Sequence, residues 1–356
     1  MKGRAGLADS RKDRKGAVTI HDVARHAGVS PMTVSRVMNE APGVKDATRK
    51  TVREAVDALG YAPNAAARSL ARQGGGRIGL LYSNPSAGYL SEFLVGALDG
   101  AQKTGALLLI EKCDPNPDSE RAAVGRLIAG GASGVILPPP HGESYAALSE
   151  LKDGEVAVVA VAAGRFRSDA SAVRIDDFAA ASEMTRHLLE LGHRRIGFIK
   201  GASNQTASAE RLLGFETEMR AADPAATALI EAGEFTYRSG LEAAERLLSA
   251  RRPPTAIFAS NDDMAAGVLT AAHRKGLDVP GELTVVGFDD TSIATAVWPE
   301  LTTVRQPVAE MAEAAVRILS EDIRGRGQAR AEAPTDRLVA HTLVVRGSCG
   351  PAPTDA

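Results

Sequence analysis

The chain has 356 residues, 44% of them hydrophobic and 24% charged, enough for two or three domains around a large core and ordinary for a globular protein. No apolar run is long enough to cross a bilayer, and the polar, basic N-terminus lacks the apolar segment of a secretory signal, so a cytoplasmic protein without a membrane partner is expected. The two cysteines, Cys113 and Cys349, have no metal-ligand spacing and read as free thiols, while the net charge of −2 conceals an asymmetry: residues 1–72 carry 14 Lys and Arg against 7 Asp and Glu, and the remainder carries 28 against 37.

A basic head on an acidic body suits a head that meets a polyanion. Six of the basic residues lie in residues 1–16, which read as a disordered leader. Without that leader the head keeps a small positive excess, so charge alone does not decide the matter. The next stretch, "TIHDVARHAGVSPMTVSRVMN", holds two helical patterns. Thr19 with Asp22 resembles a capping box with Asp in place of Glu. Ile20, Val23, Ala24 and Ala27 then share one helix face, and Gly28 suits its end. Ser30 can cap a second helix with Pro31 in its first turn, and Val34, Val37 and Met38 form the buried stripe. A third helix is expected from about Asp46 to Leu59, with Val52, Ala55, Val56 and Leu59 inward. Helices joined by so short a turn, with a third packed across them, make a helix-turn-helix unit over residues 17–62.

The second helix has a further face. Met32, Ser35, Arg36 and Asn39 also fall at i, i+3, i+4, i+7, away from Val34 and Val37. An isolated helix would leave such a face in water. In a three-helix unit with a basic excess it can lie in a DNA major groove, with Pro31, Met32 and Thr33 entering first and Arg36 able to donate two hydrogen bonds to guanine. Lys45 is a candidate phosphate contact. Residues 63–76, "PNAAARSLARQGGG", then offer a helix too short and too small-sided to stand alone, followed by a glycine joint.

Residues 17–72 resemble the headpiece of the lactose/galactose-repressor (LacI/GalR) family: "VTIHDVARHAGVSPMTVSRVMN" is similar to its opening signature and "YAPNAAARSLA" to its hinge helix. The likeness continues through "SGVIL", "LGHRRIGFIKG", "PTAIFASNDDMAAGVL", "LTVVGFDD" and "PELTTVRQP", over almost the whole chain. It implies a sequence-specific DNA-binding transcription regulator, a repressor by expectation. Its DNA contacts would come from Thr19, Pro31, Met32, Thr33, Ser35, Arg36 and Asn39 in the headpiece and from Asn64, Ala67, Arg68 and Leu70 in the hinge. Paired hinge helices of a homodimer would enter the minor groove at the centre of a near-palindromic operator, with Leu70 as the wedge.

From residue 77 the pattern is apolar strand then helix, repeated, which means parallel sheets covered on both faces. Strands are expected at "RIGLLYS", "ALLLIEKC", "ASGVILPP", "EVAVVAVA", "RRIGFIKG", "TAIFASN", "LTVVGFDD" and "RLVAHTLVV". The resemblance implies a two-lobed, type I periplasmic-binding-protein-like domain over residues 77–348. The N-lobe is expected at about 77–173 and 303–330, the C-lobe at about 174–302 and 331–348, with crossings near Arg174, Thr302 and Arg330 and a tail at 349–356.

Gly74, Gly76 and Gly79 fit G-x-G-x-x-G but precede a strand, so the mechanics of a dinucleotide loop fail. No P-loop, G-x-S-x-G or H-E-x-x-H occurs, and no cofactor, metal or enzymatic activity is expected. Ligands of open α/β sheets sit off the carboxyl ends of the strands, which here present Ser83, Asn84, Asn261 and Asp289. The resemblance implies a sugar-like effector held by Ser83, Tyr89, Gln205, Arg211, Phe235, Asn261 and Asp289. Gln205, in place of a purine-responsive relative's arginine, argues against a purine. The strand end Val161-Ala162-Ala163 lacks the acidic residue of several relatives, for which Arg165 or Arg167 could compensate. Asp262 is expected to cap the following helix, and Asp176 is open between cleft and cap. The rival reading is a solute-binding or sugar-modifying protein with an accessory head; it would need a catalytic or phosphate motif that the chain does not carry.

Overall fold

A computed structural model of the chain describes residues 20–30, 33–34, 37, 45–59, 76–83, 86–222, 226–325 and 333–353. It divides into two compact units at residues 72 and 73.

In the first unit, α1 (Ile20–Ala27) buries Val23 and Ala24. Gly28, at φ +67°, lets the Val29 amide return to the Ala24 carbonyl at 3.0 Å, which closes the helix end. Ser30 then caps the next helix: its hydroxyl accepts the Thr33 amide at 3.1 Å, and its carbonyl accepts the Val34 amide. α2 (Asp46–Leu59) packs against α1 and against Val34 and Val37. Val23, Ala24, Val34, Val37, Val52 and Ala55 form one small core, with Ala27, Val29, Val56 and Leu59 against it. This is the three-helix unit that the periodicity predicts. Thr33 is half-buried, its hydroxyl 2.9 Å from that of Ser30, and Lys45 is exposed. The other expected DNA contacts (Thr19, Pro31, Met32, Ser35, Arg36, Asn39, Asn64, Ala67, Arg68 and Leu70) lie outside the described residues, as do the leader and the hinge.

The second unit holds two six-stranded sheets. The N-lobe contains β1 (Arg77–Tyr82), α3 (Ala87–Thr104), β2 (Leu107–Lys112), α4 (Pro117–Ala129), β3 (Gly134–Leu137), a 3₁₀ turn (His141–Glu143), α5 (Tyr145–Asp153), β4 (Ala157–Val161) and β5 (Ser171–Arg174). The C-lobe contains α6 (Asp177–Glu190), β6 (Arg195–Lys200), α7 (Thr206–Ala221), β7 (Thr227–Ala232), α8 (Tyr237–Leu248), β8 (Ala256–Ala259), α9 (Asp262–Arg274), β9 (Thr284–Asp289), α10 (Ile293–Ala296) and β10 (Thr302–Arg305). The chain then returns through α11 (Val308–Gly325), β11 (Asp336–Leu338) and β12 (Thr342–Val344). The N-lobe order is β11-β5-β4-β3-β1-β2, all parallel. The C-lobe order is β12-β10-β9-β8-β6-β7, parallel except for β12. Burial drives both: β3, β8 and β9 expose almost nothing, as strands covered by helices on both faces must.

The crossings depart from expectation at two points. β10 pairs with β9 and belongs to the C-lobe, so the second crossing follows Arg305 instead of Thr302. "RLVAHTLVV" is two strands in two sheets: β11 extends the N-lobe beside β5, β12 extends the C-lobe beside β10, and residues 339–341 make the third crossing, past the expected Arg330. A run of alternating apolar residues satisfies either sheet, so the pattern carries no mark of the change. Nor do residues 349–352 form a free tail. Gly350 donates to Thr284 Oγ1, its carbonyl lies 3.0 Å from the buried His193 Nε2, and the Ala352 amide donates to the Leu191 carbonyl.

Phe198 stacks on Phe215 at 4.7 Å and meets Phe258 edge-on at 5.2 Å, all three fully buried. Burying one such ring is worth about 1.5–3 kcal/mol. This cluster packs α7 onto β6 and so fixes the helix that carries Arg211.

Candidate functional site

A small cleft opens between the lobes, at the carboxyl ends of the strands. The N-lobe lines it with Ser86, Tyr89, Pro139 and Ala162, the C-lobe with Gln205, Ala207, Arg211, Phe235, Asn261 and Asp289, and the second crossing with Gln306. Six of the seven expected residues are therefore brought together. Ser83 is not among them. It follows the last residue of β1, and the serine that reaches the cleft is Ser86, whose hydroxyl also caps α3 by accepting the Tyr89 amide.

Arg211 is the electrostatic centre. It is buried, and its Nε donates to Asp177 Oδ1 at 2.7 Å while Nη1 donates to the Ser260 carbonyl at 2.6 Å. Its guanidinium lies 3.6 Å from the Phe288 ring centre and 6.0 Å from that of Phe235. Two bonds occupy two of the five guanidinium donors, which leaves others for a ligand. Asp289 Oδ1 sits 3.8 Å from Arg211 Nη1 and accepts from Gln306 Nε2 at 2.6 Å. Burial pushes the Asp289 carboxyl up to about 7, against the pull of Arg211 and the Gln306 bond. Burial likewise raises Asp177 despite its contact with Arg211. Burial raises Tyr89 too, so it remains a neutral phenol.

Three cleft residues hold left-handed backbone without being glycine: Ala162 at φ 52°, Phe235 at φ 56° and Asp289 at φ 111°. Such conformations persist where surrounding structure imposes them, typically at ligand sites. For Phe235 the imposing groups are visible. Asn261 Nδ2 donates to its carbonyl at 3.1 Å, and the ring fills the space above Gly201, where a β-carbon would come within 1.9 Å of it. Asn261 Oδ1 also accepts the Met264 amide, so Asn261 caps α9. The expected cap, Asp262, is instead the first residue of that helix. Its buried carboxylate accepts from the Thr291 amide and hydroxyl and from Thr303 Oγ1, tying α9 to the segment after β9 and to β10. Asp176 caps α6 by accepting the Ala179 amide. Arg165 and Arg167 do not supply the missing N-lobe charge: both are exposed, one paired with Glu210 and the other with Asp169.

Among the described residues, three buried side-chain polar atoms have no hydrogen-bond partner, and two of them, Tyr89 Oη and Gln306 Oε1, belong to cleft residues. Buried polar atoms are nearly always paired, so these two are exceptions that fall together at one cleft. Gln306 escaped the sequence reading although it lies within the quoted "TTVRQP"; its position one residue beyond β10 is the signal that could have found it. The arrangement presents a carboxylate, guanidinium donors, a phenol, an amide oxygen and an aromatic ring to one small volume. Among the described residues no group of His, Cys, Asp and Glu could hold a metal ion, and no helix is long and apolar enough to cross a membrane.

Comparison with known proteins gives this geometry its context. Residues 19–64 match the bacterial regulatory proteins of the lacI family, and residues 185–349 match the periplasmic binding protein-like domain. Catabolite control protein A of Priestia megaterium is 36% identical over 306 residues, covering 85% of this chain and 92% of that protein. The transcriptional regulator GalR of Escherichia coli K12 is 35% identical over 304 residues, covering 84% and 88%. Among solved structures, the lac repressor dimer bound to operator and the anti-inducer ONPF superposes with a TM-score of 0.76 at 27% identity, over 94% of this chain and 99% of that one. The regulator CelR in complex with cellobiose gives 0.69 at 29% identity, over 93% and 99%. The chain belongs to the lacI family of bacterial regulatory proteins: it is a DNA-binding transcription regulator with a helix-turn-helix head and a two-lobed periplasmic binding protein-like body.

Proposed function

We propose that this regulator is a cytoplasmic, homodimeric repressor whose hold on a near-palindromic operator is set by a small neutral saccharide bound between the lobes. The observation that carries the ligand class is the pair of unpartnered buried atoms, Tyr89 Oη and Gln306 Oε1, facing Asp289 and Arg211 across one cleft. A polyhydroxylated ring supplies donors and acceptors to all four, and its apolar face can lie on Phe235. The Gln205 side chain makes no hydrogen bond at the α7 cap and lines the same cleft, available to a further hydroxyl. The cellobiose complex of CelR, a structure of the same architecture, supports this class.

For the assembly, both sheets end in an edge strand that carries exposed apolar side chains: Leu107 and Ile110 on β2, Ile230 on β7. Val95 and Leu98, one turn apart on α3, add to the N-lobe set. A twofold partner covering such edges suits a head that reads half-sites in pairs. In the head, Arg36 would read guanine and Leu70 would wedge the operator centre. Coupling follows from linkage: a ligand that prefers one arrangement of the lobes shifts the population able to present both heads.

The test is a thermal-shift screen of the full-length protein against neutral monosaccharides and disaccharides, cellobiose and D-galactose among them, followed by calorimetry. A saccharide that stabilises the wild type and fails to stabilise Arg211→Ala supports the reading. Stabilisation by purines or charged metabolites alone would overturn the ligand class.

A further inference from the structure

The N-lobe turn His141–Glu143 has a role that cleft lining does not explain. Glu143 is an N-lobe residue, yet its carboxylate is spent on the C-lobe. Oε2 accepts the Thr206 amide at 2.8 Å, and Oε1 accepts both the Thr206 hydroxyl and, at 3.2 Å, the amide of Gly164 in the N-lobe loop. Thr206 opens α7, and the first amides of a helix have no partner within it. The side chain in the capping position, Gln205, makes no capping bond. Glu143 therefore caps, from the other lobe, the helix that carries Arg211 five residues on, where a carboxylate is also favoured by the helix dipole.

Two further observations make this a built contact. Gly164 lies so close to α7 that a β-carbon there would stand 2.3 Å from the Ala207 nitrogen, so the lobes meet backbone to backbone. The turn that presents Glu143 is itself anchored from below. His141 is fully buried, with Nδ1 2.9 Å from Glu120 Oε1 and Nε2 3.4 Å from Cys113 Sγ, and Ser144 donates to the other Glu120 oxygen. Cysteine, histidine and carboxylate in a row suggest a nucleophile. Here, however, burial raises the Cys113 thiol to about 11 and lowers the His141 imidazole, so neither is activated, and both are closed to solvent. The row fixes a turn.

We propose that Glu143 is an interlobe latch: by capping α7 across the cleft it holds the lobes in the arrangement that shapes the ligand site. Its service to effector control rests on the reading of the cleft given above. The latch is a positioning device, since Glu143 bonds Thr206 and Gly164, neither of which lines the cleft, and acts through the helix that bears Arg211.

Hydrogen exchange on the full-length, ligand-free protein tests it. In Glu143→Ala the amides of Thr206 and Gly164 should exchange at least about tenfold faster, as befits loss of bonds to a charged acceptor. Amides of α7 beyond Arg211 and of β6 should be unchanged, which separates latch release from misfolding. Glu143→Gln, which keeps one acceptor oxygen, should retain most of the protection. Thr206→Ala, which breaks the contact from the opposite side while leaving the amide, should fall between them. Unchanged exchange in Glu143→Ala overturns the latch. The saccharide giving the largest thermal shift with the wild type should then bind Glu143→Ala about tenfold more weakly; faster exchange with undiminished affinity overturns the coupling. If no saccharide binds the wild type, the cleft reading fails, and the exchange result still decides the latch.

Discussion

The two lobes share one strand order, with only the direction of the last strand different, and differ in what they bring to the cleft. The C-lobe delivers a buried guanidinium, a buried carboxylate, an aromatic ring and an amide: Arg211, Asp289, Phe235 and Asn261. The N-lobe delivers Ser86, Tyr89, Pro139 and Ala162, none of them charged. Its Glu143 carboxylate, at the interface, is bonded to α7. The difference suggests a division of labour in which the C-lobe grips the ligand and the N-lobe completes the enclosure. A charged group left in both walls would be desolvated twice whenever the lobes met, and burial of charge is expensive unless paired.

The comparison breaks most severely at Arg211. Arg211→Ala leaves the Asp177 carboxylate buried without its partner, which costs about 3–5 kcal/mol of stability at neutral pH. It should also abolish binding of the cleft ligand. Chemical denaturation and calorimetry read the two effects, and a variant of wild-type stability that binds normally would remove Arg211 from the centre of the site.

Asp289 gives the comparison a pH signature. Its carboxyl titrates near 7 in the folded, ligand-free protein. A hydroxylated ligand that donates to it favours the ionised form, so affinity should fall as pH drops from about 8 through 7 to 6. The stability effect has the opposite sense: a raised carboxyl binds its proton more tightly folded than unfolded, so Asp289 costs stability as pH rises through the ordinary carboxylate range toward 7 and levels off above it. Asp289→Asn should flatten both dependences. Binding that strengthens on acidification would contradict the assigned role.

On the N-lobe side the effect should be smaller. Tyr89→Phe removes a buried hydroxyl that has no partner in the ligand-free protein, so stability should stay level or rise slightly. Ligand affinity should fall by about 1 kcal/mol, the worth of one neutral hydrogen bond. A loss as large as that of Arg211→Ala would mean that the lobes share the grip equally.

Much of this was legible in the residues. The head's three stripes at helical spacing reappear as its core because burial and periodicity are the same fact stated twice. The central strands are visible because both their faces are covered. Arg211, Phe235 and Asp289 were reached through resemblance, and without it their spacing says little: they sit on α7, in the loop before α8 and at the end of β9, and only the fold brings them together. The misses share a cause. Ser83 against Ser86, Asn261 against Asp262, and the division of "RLVAHTLVV" each turn on a shift of one to three residues or on which sheet claims a strand. Local pattern is degenerate at that scale, and tertiary pairing decides it. Glu143 was invisible for a different reason: it acts across a lobe boundary, and nothing in the local sequence marks a side chain for a partner in the other lobe.

The most direct test of the account joins the cleft to the DNA. Duplexes selected by the full-length protein from a random pool would be titrated with protein at a series of saccharide concentrations, in wild type and in Asp289→Asn, with binding followed by fluorescence anisotropy. The account predicts a near-palindromic selected site, a saccharide-dependent change in wild-type affinity of at least about fivefold, and a much weaker response in the variant, whose binding to the duplex without saccharide is unimpaired. Equal responses in the two proteins would contradict it, because the ligand would then control the head from somewhere other than this cleft.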